Sequence, residues 1–165
     1  MAYCTYNSIA AIQSSKVYAG KTVTLSSSQY KQAVSELDDI AKQMTHNPNS
    51  NRMMLGTTTP DKTWHQEAQK NGMTYFYTPN YDAMVDKYGK NGFHSFNYRY
   101  AQEQMRLGKE IWFSHDPAFQ MKYFGDTDFA MELRWIMHYY GFDKFELGIN
   151  YEKVGDYWRL INVQK

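Results

Sequence analysis

Gly108-Lys109-Glu110-Ile111-Trp112-Phe113-Ser114-His115-Asp116-Pro117 is the stretch on which the reading of the fold turns. Its apolar run, Ile111-Trp112-Phe113, predicts a strand over Lys109 to Ser114. A polar segment then runs to Asp128. Beyond it, Phe129, Leu133, Ile136 and Tyr140 recur on one face, which predicts a helix from Phe129 to Tyr140 that Gly141 stops. A strand, a loop and a helix N-terminus in succession is where α/β proteins gather ligand-binding groups. The polar connection is long for a purely structural one.

The same alternation extends outward in both directions. Ser26, Ser27 and Ser28 offer N-caps to an amphipathic helix with Tyr30, Val34, Leu37, Ala41 and Met44 at helical spacing. The turn formers of Thr45 to Asn51 end it. Arg52 to Gly56 predicts a short buried strand, Thr57 to Asp61 a polar loop, and Lys62 to Lys70 a helix that Asn71-Gly72 closes. Thr74 to Tyr77 predicts a second strand. A helix from Tyr81 to Tyr88 ends at Gly89, and another runs from about Gly92 to Leu107. Phe142 to Gly148 and Tyr157 to Val163 are strand candidates for a terminal hairpin through Gly155-Asp156. Helices alternating with short strands predict an α/β fold, a small mostly parallel sheet with flanking helices. Residues 1–27 read as an N-terminal segment or linker, with a short helix over Ser8 to Val17, and 28–165 as one α/β domain.

The bulk properties exclude several classes. A formal charge of +1, with the 18 Lys and Arg scattered, gives no basic stripe for nucleic acid and no field toward a membrane. No apolar run reaches the length of a membrane span. The start, Met1-Ala2-Tyr3-Cys4, lacks the regions of a signal peptide. Cys4 is the one cysteine, so neither an intramolecular disulfide nor a cysteine zinc site can form, and no histidine pair has metal-ligand spacing. No metal or cofactor is expected. Glycine-rich phosphate loops, dinucleotide fingerprints and nucleophile elbows are also missing. The 15 tyrosines fit either a core whose hydroxyls need partners or the wall of a flat-ligand pocket.

Each expected central strand ends in a polar loop: Gly56-Thr57-Thr58, Thr78-Pro79-Asn80 and Ser114-His115-Asp116. If the strands are parallel neighbours, these loops share one sheet edge and form a site. His94 and His115 are the pocket candidates among the histidines. Glu132, in the first turns of the helix after the third loop, is either a helix-end charge or a catalytic carboxylate.

Residues 46–165 resemble a toxin domain found at the C-terminus of bacterial polymorphic toxins. The resemblance rests on His46-Asn47-Pro48-Asn49, Leu55-Gly56, Asn71-Gly72 through Phe76, Gly108-Lys109-Glu110, Ser114 to Pro117, Phe129 to Leu133 and Trp158-Arg159. A second resemblance, of a strand, a loop and Thr127-x-Phe129-x-x-Glu132, is to the ADP-ribosyl cyclase and NAD glycohydrolase family. It implies an ADP-ribosyl cyclase-like fold and cleavage of the nicotinamide–ribose bond of NAD+, with NAD+ as substrate rather than cofactor. Glu132 matches that family's catalytic glutamate. Ser114, His115 and Thr57 are implied as groups binding ribose or phosphate. Phe93, His94 and Phe129 are implied as stacking candidates, with Thr127 as the other flanking motif position. The family's disulfides are absent here. His94 stands where a nicotinamide-stacking tryptophan is expected, and Gly56-Thr57-Thr58 lacks the family's phosphate-binding arginine. As a toxin domain it implies a larger carrier protein upstream, delivery by secretion, action in the target-cell cytoplasm, use in interbacterial competition, and a cognate immunity protein. A ribonuclease toxin with His94 and His115 as acid and base is the competing reading.

Overall fold

The computed structural model describes residues 27–164. Cys4 and the short helix expected over Ser8 to Val17 lie outside the described residues. The chain forms two compact units. The first holds the described residues 27–45 and Phe76–Glu103. The second holds His46–Tyr75 and residues 104–164.

In the first unit, α1 (Ser27–Gln43) buries Leu37 and Ala41, with Met44 just beyond it, on the face that the spacing predicts. The backbone N–H of Tyr77 donates to the Met44 carbonyl at 2.9 Å. The α3 span (Tyr81–Arg106), which continues into the second unit, is broken at Gly89 (φ 73°, ψ 163°). Two helical runs therefore abut there, at the glycine that reads as a stop. The rings of Phe76, Phe93, Phe96, Tyr88 and Tyr100 fill this unit's interior, Phe76 lying 5.7 Å from Phe93 and 5.4 Å from Tyr100. Arg99 Nε and Nη2 donate to Asp38 Oδ1 at 2.9 and 2.6 Å.

The second unit is built on a four-stranded sheet. Short strands come first: β1 (Thr45–His46), β2 (Arg52–Leu55), β3 (Thr58–Thr59) and β4 (Lys62–Thr63). Helix α2 (Trp64–Lys70) and β5 (Tyr75–Phe76) follow. After α3 come β6 (Glu110–Phe113), α4 (Pro117–Tyr123), α5 (Asp128–Tyr140), β7 (Tyr151–Val154) and β8 (Tyr157–Leu160). The sheet order is β2-β6-β8-β7.

The fold is mixed α/β, but the expectation of a mostly parallel sheet is corrected. In the four-stranded sheet β2 and β6 run parallel, Leu55 opposite Phe113, but β8 is antiparallel to both β6 and β7. The cause is local. Gly155 (φ 61°) lets a two-residue turn join β7 to β8, and a turn that tight returns the chain antiparallel. The expected strand over Phe142 to Gly148 is replaced by bends and irregular chain with a single bridge at Leu147, and β7 starts at Tyr151. The expected second strand lies beside β2 through Thr74 alone, whose N–H donates to the Arg52 carbonyl at 2.8 Å and whose carbonyl accepts from Met54 N–H at 2.9 Å.

Alternation along β6 sorts the packing. Phe113 faces Phe129 of α5 and Phe145, with centroids at 6.3 and 5.6 Å. Phe145 continues the ring contacts to Tyr151. The opposite row, Met54 with Trp112 and Gly56 with Ser114, lies on the side of α2, which packs on β2.

Candidate functional site

The C-terminal end of β6 leads into a segment that is not the long open loop of the sequence reading. Pro117–Tyr123 is the helix α4. Asp116 caps it, Oδ1 accepting from Ala118 N at 3.0 Å and Phe119 N at 3.2 Å. Pro117 at the first helical position has no N–H to leave unsatisfied. Asp-Pro is a helix-start signal that the sequence carried and that the reading passed over. The Tyr151 hydroxyl also donates to Asp116 Oδ1 at 3.1 Å. Burial first, then the neighbouring carboxylate, pushes the Tyr151 phenol up to about 12.

Helix α5 starts at an N-cap, Thr127, whose Oγ1 accepts from Ala130 N at 3.2 Å and donates to the Phe124 carbonyl at 2.9 Å. Gly141 (φ 75°) ends it in the left-handed conformation that glycine adopts without strain. Phe129, Leu133 and Ile136 are buried on this helix, and so is Glu132, 7% exposed. Phe129 is 1% exposed and belongs to the core against Phe113. The first turn of α5 thus lies against the last residue of β6, and Glu132 is three residues further along.

Ser114 is fully buried, and its N–H donates to the Leu55 carbonyl at 3.0 Å. Gly56 and Ser114 are neighbours as the parallel pairing predicts, with half-buried Thr57 next in the chain. A polar chain starts there. Ser114 Oγ is 2.8 Å from His115 Nδ1, and His115 Nε2 is 3.2 Å from Thr59 Oγ1. Thr59 Oγ1 donates its one proton to the Lys62 carbonyl at 3.3 Å. The network therefore assigns a proton to His115 Nε2 and leaves Nδ1 to accept from Ser114. Burial first, and the Lys62 charge second, lower the His115 pKa from 6.5, which keeps the ring neutral.

Lys62 was expected in a helix. It lies instead on β4, paired antiparallel with β3 across Pro60-Asp61. Its Nζ donates to the Asp156 carbonyl at 2.9 Å and the Ser114 carbonyl at 3.2 Å. It lies 5.0 Å from the Tyr157 ring centroid and 5.9 Å from that of Trp158. Thr59 and Lys62 thus pin the β3–β4 hairpin to the end of β6, and sequence reasoning missed both. Pro60-Asp61, a turn pair between two threonine-bearing runs, was the available signal.

The remaining motif residues form a clasp. Lys109, 9% exposed, donates from Nζ to the Pro48 carbonyl at 2.6 Å and to Thr74 Oγ1 at 3.0 Å. Thr74 Oγ1 donates to the Asn47 carbonyl at 2.7 Å, and Asn47 Nδ2 donates to the Met73 carbonyl at 3.2 Å. Burial lowers the Lys109 pKa. The His46 to Asn49 run and the Gly108-Lys109 pair are therefore tied to each other by structure.

Phe93 and His94 belong to the first unit. The Phe93 ring is buried between Phe76 and Tyr81, at 5.7 and 4.8 Å, and His94 is half-buried one residue on. The structure joins Ser114 and His115 on one side of the β2–β6 strand ends, with Thr57 following Gly56 in the chain, and puts Thr127, Phe129 and Glu132 on the helix packed on the other. Among the described residues no group of three or more His, Cys, Asp or Glu could hold a metal ion, and no helix is long and apolar enough to cross a membrane. No family model, curated protein or solved structure matches the chain.

Proposed function

We propose that this chain is a toxin domain that cleaves the nicotinamide–ribose bond of NAD+, on an ADP-ribosyl cyclase-like arrangement of strand, loop and helix. The observation that carries the reading is Glu132. It is a buried carboxylate just past the first turn of α5, and that turn lies against the end of β6. Ligands of open α/β sheets bind at such strand ends.

The chemistry asks little of the protein beyond electrostatics. Nicotinamide leaves as a neutral base, so no general acid is needed. What needs stabilising is the positive charge that grows on the ribose as the bond between C1′ and nitrogen breaks, as in glycoside hydrolysis. An ionised Glu132 near the ribose supplies that stabilisation. Water then forms the new C1′–O bond and gives up a proton, releasing ADP-ribose. In the cyclising variant, the adenine attacks instead. The buried Ser114 hydroxyl donates to His115 Nδ1 and fixes that ring at the strand end.

The toxin reading carries its partners with it: a larger upstream carrier, secretion into a target-cell cytoplasm, and a cognate immunity protein. The test incubates the purified protein with NAD+ and, separately, with total RNA. Loss of NAD+ with RNA intact is expected, and Glu132→Gln lowers kcat by about 10²–10³-fold. RNA cleavage without NAD+ loss, or a Glu132→Gln variant as fast as wild type, sinks the proposal.

A further inference from the structure

We infer that Lys62, at the C-terminal end of the β2–β6 pair, forms a subsite for a phosphate or diphosphate oxyanion. In the proposed reaction, on which this assignment to substrate rests, the oxyanion is the diphosphate of NAD+. Three observations lead there. The first is that the Lys62 charge is unbalanced. Among the described residues no carboxylate comes within ion-pairing distance of its ammonium, although Asp61 and Asp156 are close in sequence or space.

The second is that the ammonium is held in place. Two of its three N–H donors are directed at the Ser114 and Asp156 carbonyls, and the third remains for an oxygen from outside. The carbonyls fix the cation without neutralising it. The Tyr157 and Trp158 rings flank it at distances where a cation is attracted to a π face. A cation already fixed in position loses little freedom when it binds an anion.

The third is the surroundings. Lys62 and His115 are both partly open to solvent. They sit at the C-terminal end of the parallel pair, where an incoming ligand meets the sheet.

The experiment uses inorganic pyrophosphate as the probe on the ¹⁵N-labelled full chain. Saturable amide shifts at Thr59, Lys62 and His115 are expected. Bound pyrophosphate also offsets the Lys62 charge, so the His115 ring titrates at higher pH when pyrophosphate is present. Lys62→Gln weakens pyrophosphate binding by about tenfold or more, whereas Lys70→Gln, at the exposed end of α2, leaves it unchanged. Shifts confined to other residues, or equal binding by Lys62→Gln, overturn the subsite. If Lys62→Gln does not fold, the wild-type shift map and the His115 titration decide alone.

These measurements contain no NAD+. A chain that binds pyrophosphate at Lys62 but leaves NAD+ intact keeps the subsite and loses the proposed reaction. A chain that consumes NAD+ with the same KM in Lys62→Gln keeps the reaction and loses the subsite.

Discussion

A β-carbon on Gly56 would lie 1.8 Å from Ser114 Oγ, and 2.8 Å from the Trp64 β-carbon. The requirement for glycine here is one of space. The parallel register puts this residue against a buried hydroxyl whose own partner, His115, fixes its direction. Gly56→Ala is expected to lower stability by about 1–3 kcal/mol through overpacking. For a chain of this length that is a fall in Tm of roughly 2–4 °C per kcal/mol. Adding Ser114→Gly removes the nearer obstacle, so the double variant recovers part of the loss. Strict additivity in the thermal melts counts against the contact.

Neutral His115 makes stability depend on pH. Its folded pKa lies below 6.5, so in mild acid the unfolded chain takes up a proton that the folded chain refuses. The contribution is complete above about pH 6.5 and is lost as pH falls through the folded pKa. His65, lowered by burial and by His46, acts in the same direction. Tm is expected to decline from about pH 7.5 to about pH 5, and His115→Asn to decline less steeply. Parallel curves for the two proteins reject this assignment.

Asp116 has two separable tasks. Asp116→Ala loses both the cap of α4 and the acceptor of the buried Tyr151 hydroxyl, at a cost of about 1–3 kcal/mol in chemical denaturation. Asp116→Asn keeps a capping side chain and removes the charge. The Tyr151 pKa then falls from about 12 toward 10 without reaching it, because burial is the larger cause. The titration of ¹³C-labelled tyrosine reads this out, and an unchanged Tyr151 would contradict the carboxylate's part.

Lys109→Met keeps the bulk of the side chain but strands the Pro48 carbonyl and loosens the turn at Asn47. A loss of about 1–3 kcal/mol is expected, with faster amide exchange at Met73 and Thr74. Wild-type stability in this variant would mean that the clasp is ornamental.

The strands of the β2–β6 pair were legible because Met53-Met54-Leu55 and Ile111-Trp112-Phe113 are compact apolar runs between polar stops. Helix α5 was legible from the spacing of Phe129, Leu133 and Ile136. Two kinds of feature were not. Short elements set by their ends, such as α4 behind Asp116-Pro117, have too few residues to establish a period. Contacts between distant segments, such as Lys62 with Ser114 or Lys109 with Pro48, leave no local trace, because a backbone carbonyl as acceptor imposes no residue type. For the same reason, the sequence drew attention to Ser114 and His115 but not to the lysine that tunes them. Phe129 was legible as apolar, but whether its ring faced a ligand or the core depended on the alternation of β6.

The parallel pairing of β2 with β6 also sets a schedule. Arg52 and its partner Glu110 are 58 positions apart, and all of the intervening chain must be made before they can meet. At a synthesis rate of roughly 5–20 residues per second, β2 waits about 3–12 s for its neighbour. Gly56 and Thr57 have no Ser114 beside them during that interval, and the Lys62 ammonium has neither of its carbonyls. A nascent or truncated chain that stops short of residue 110 carries none of the assembled strand end. Whatever chemistry that strand end performs begins only after the chain through Ser114 has been made.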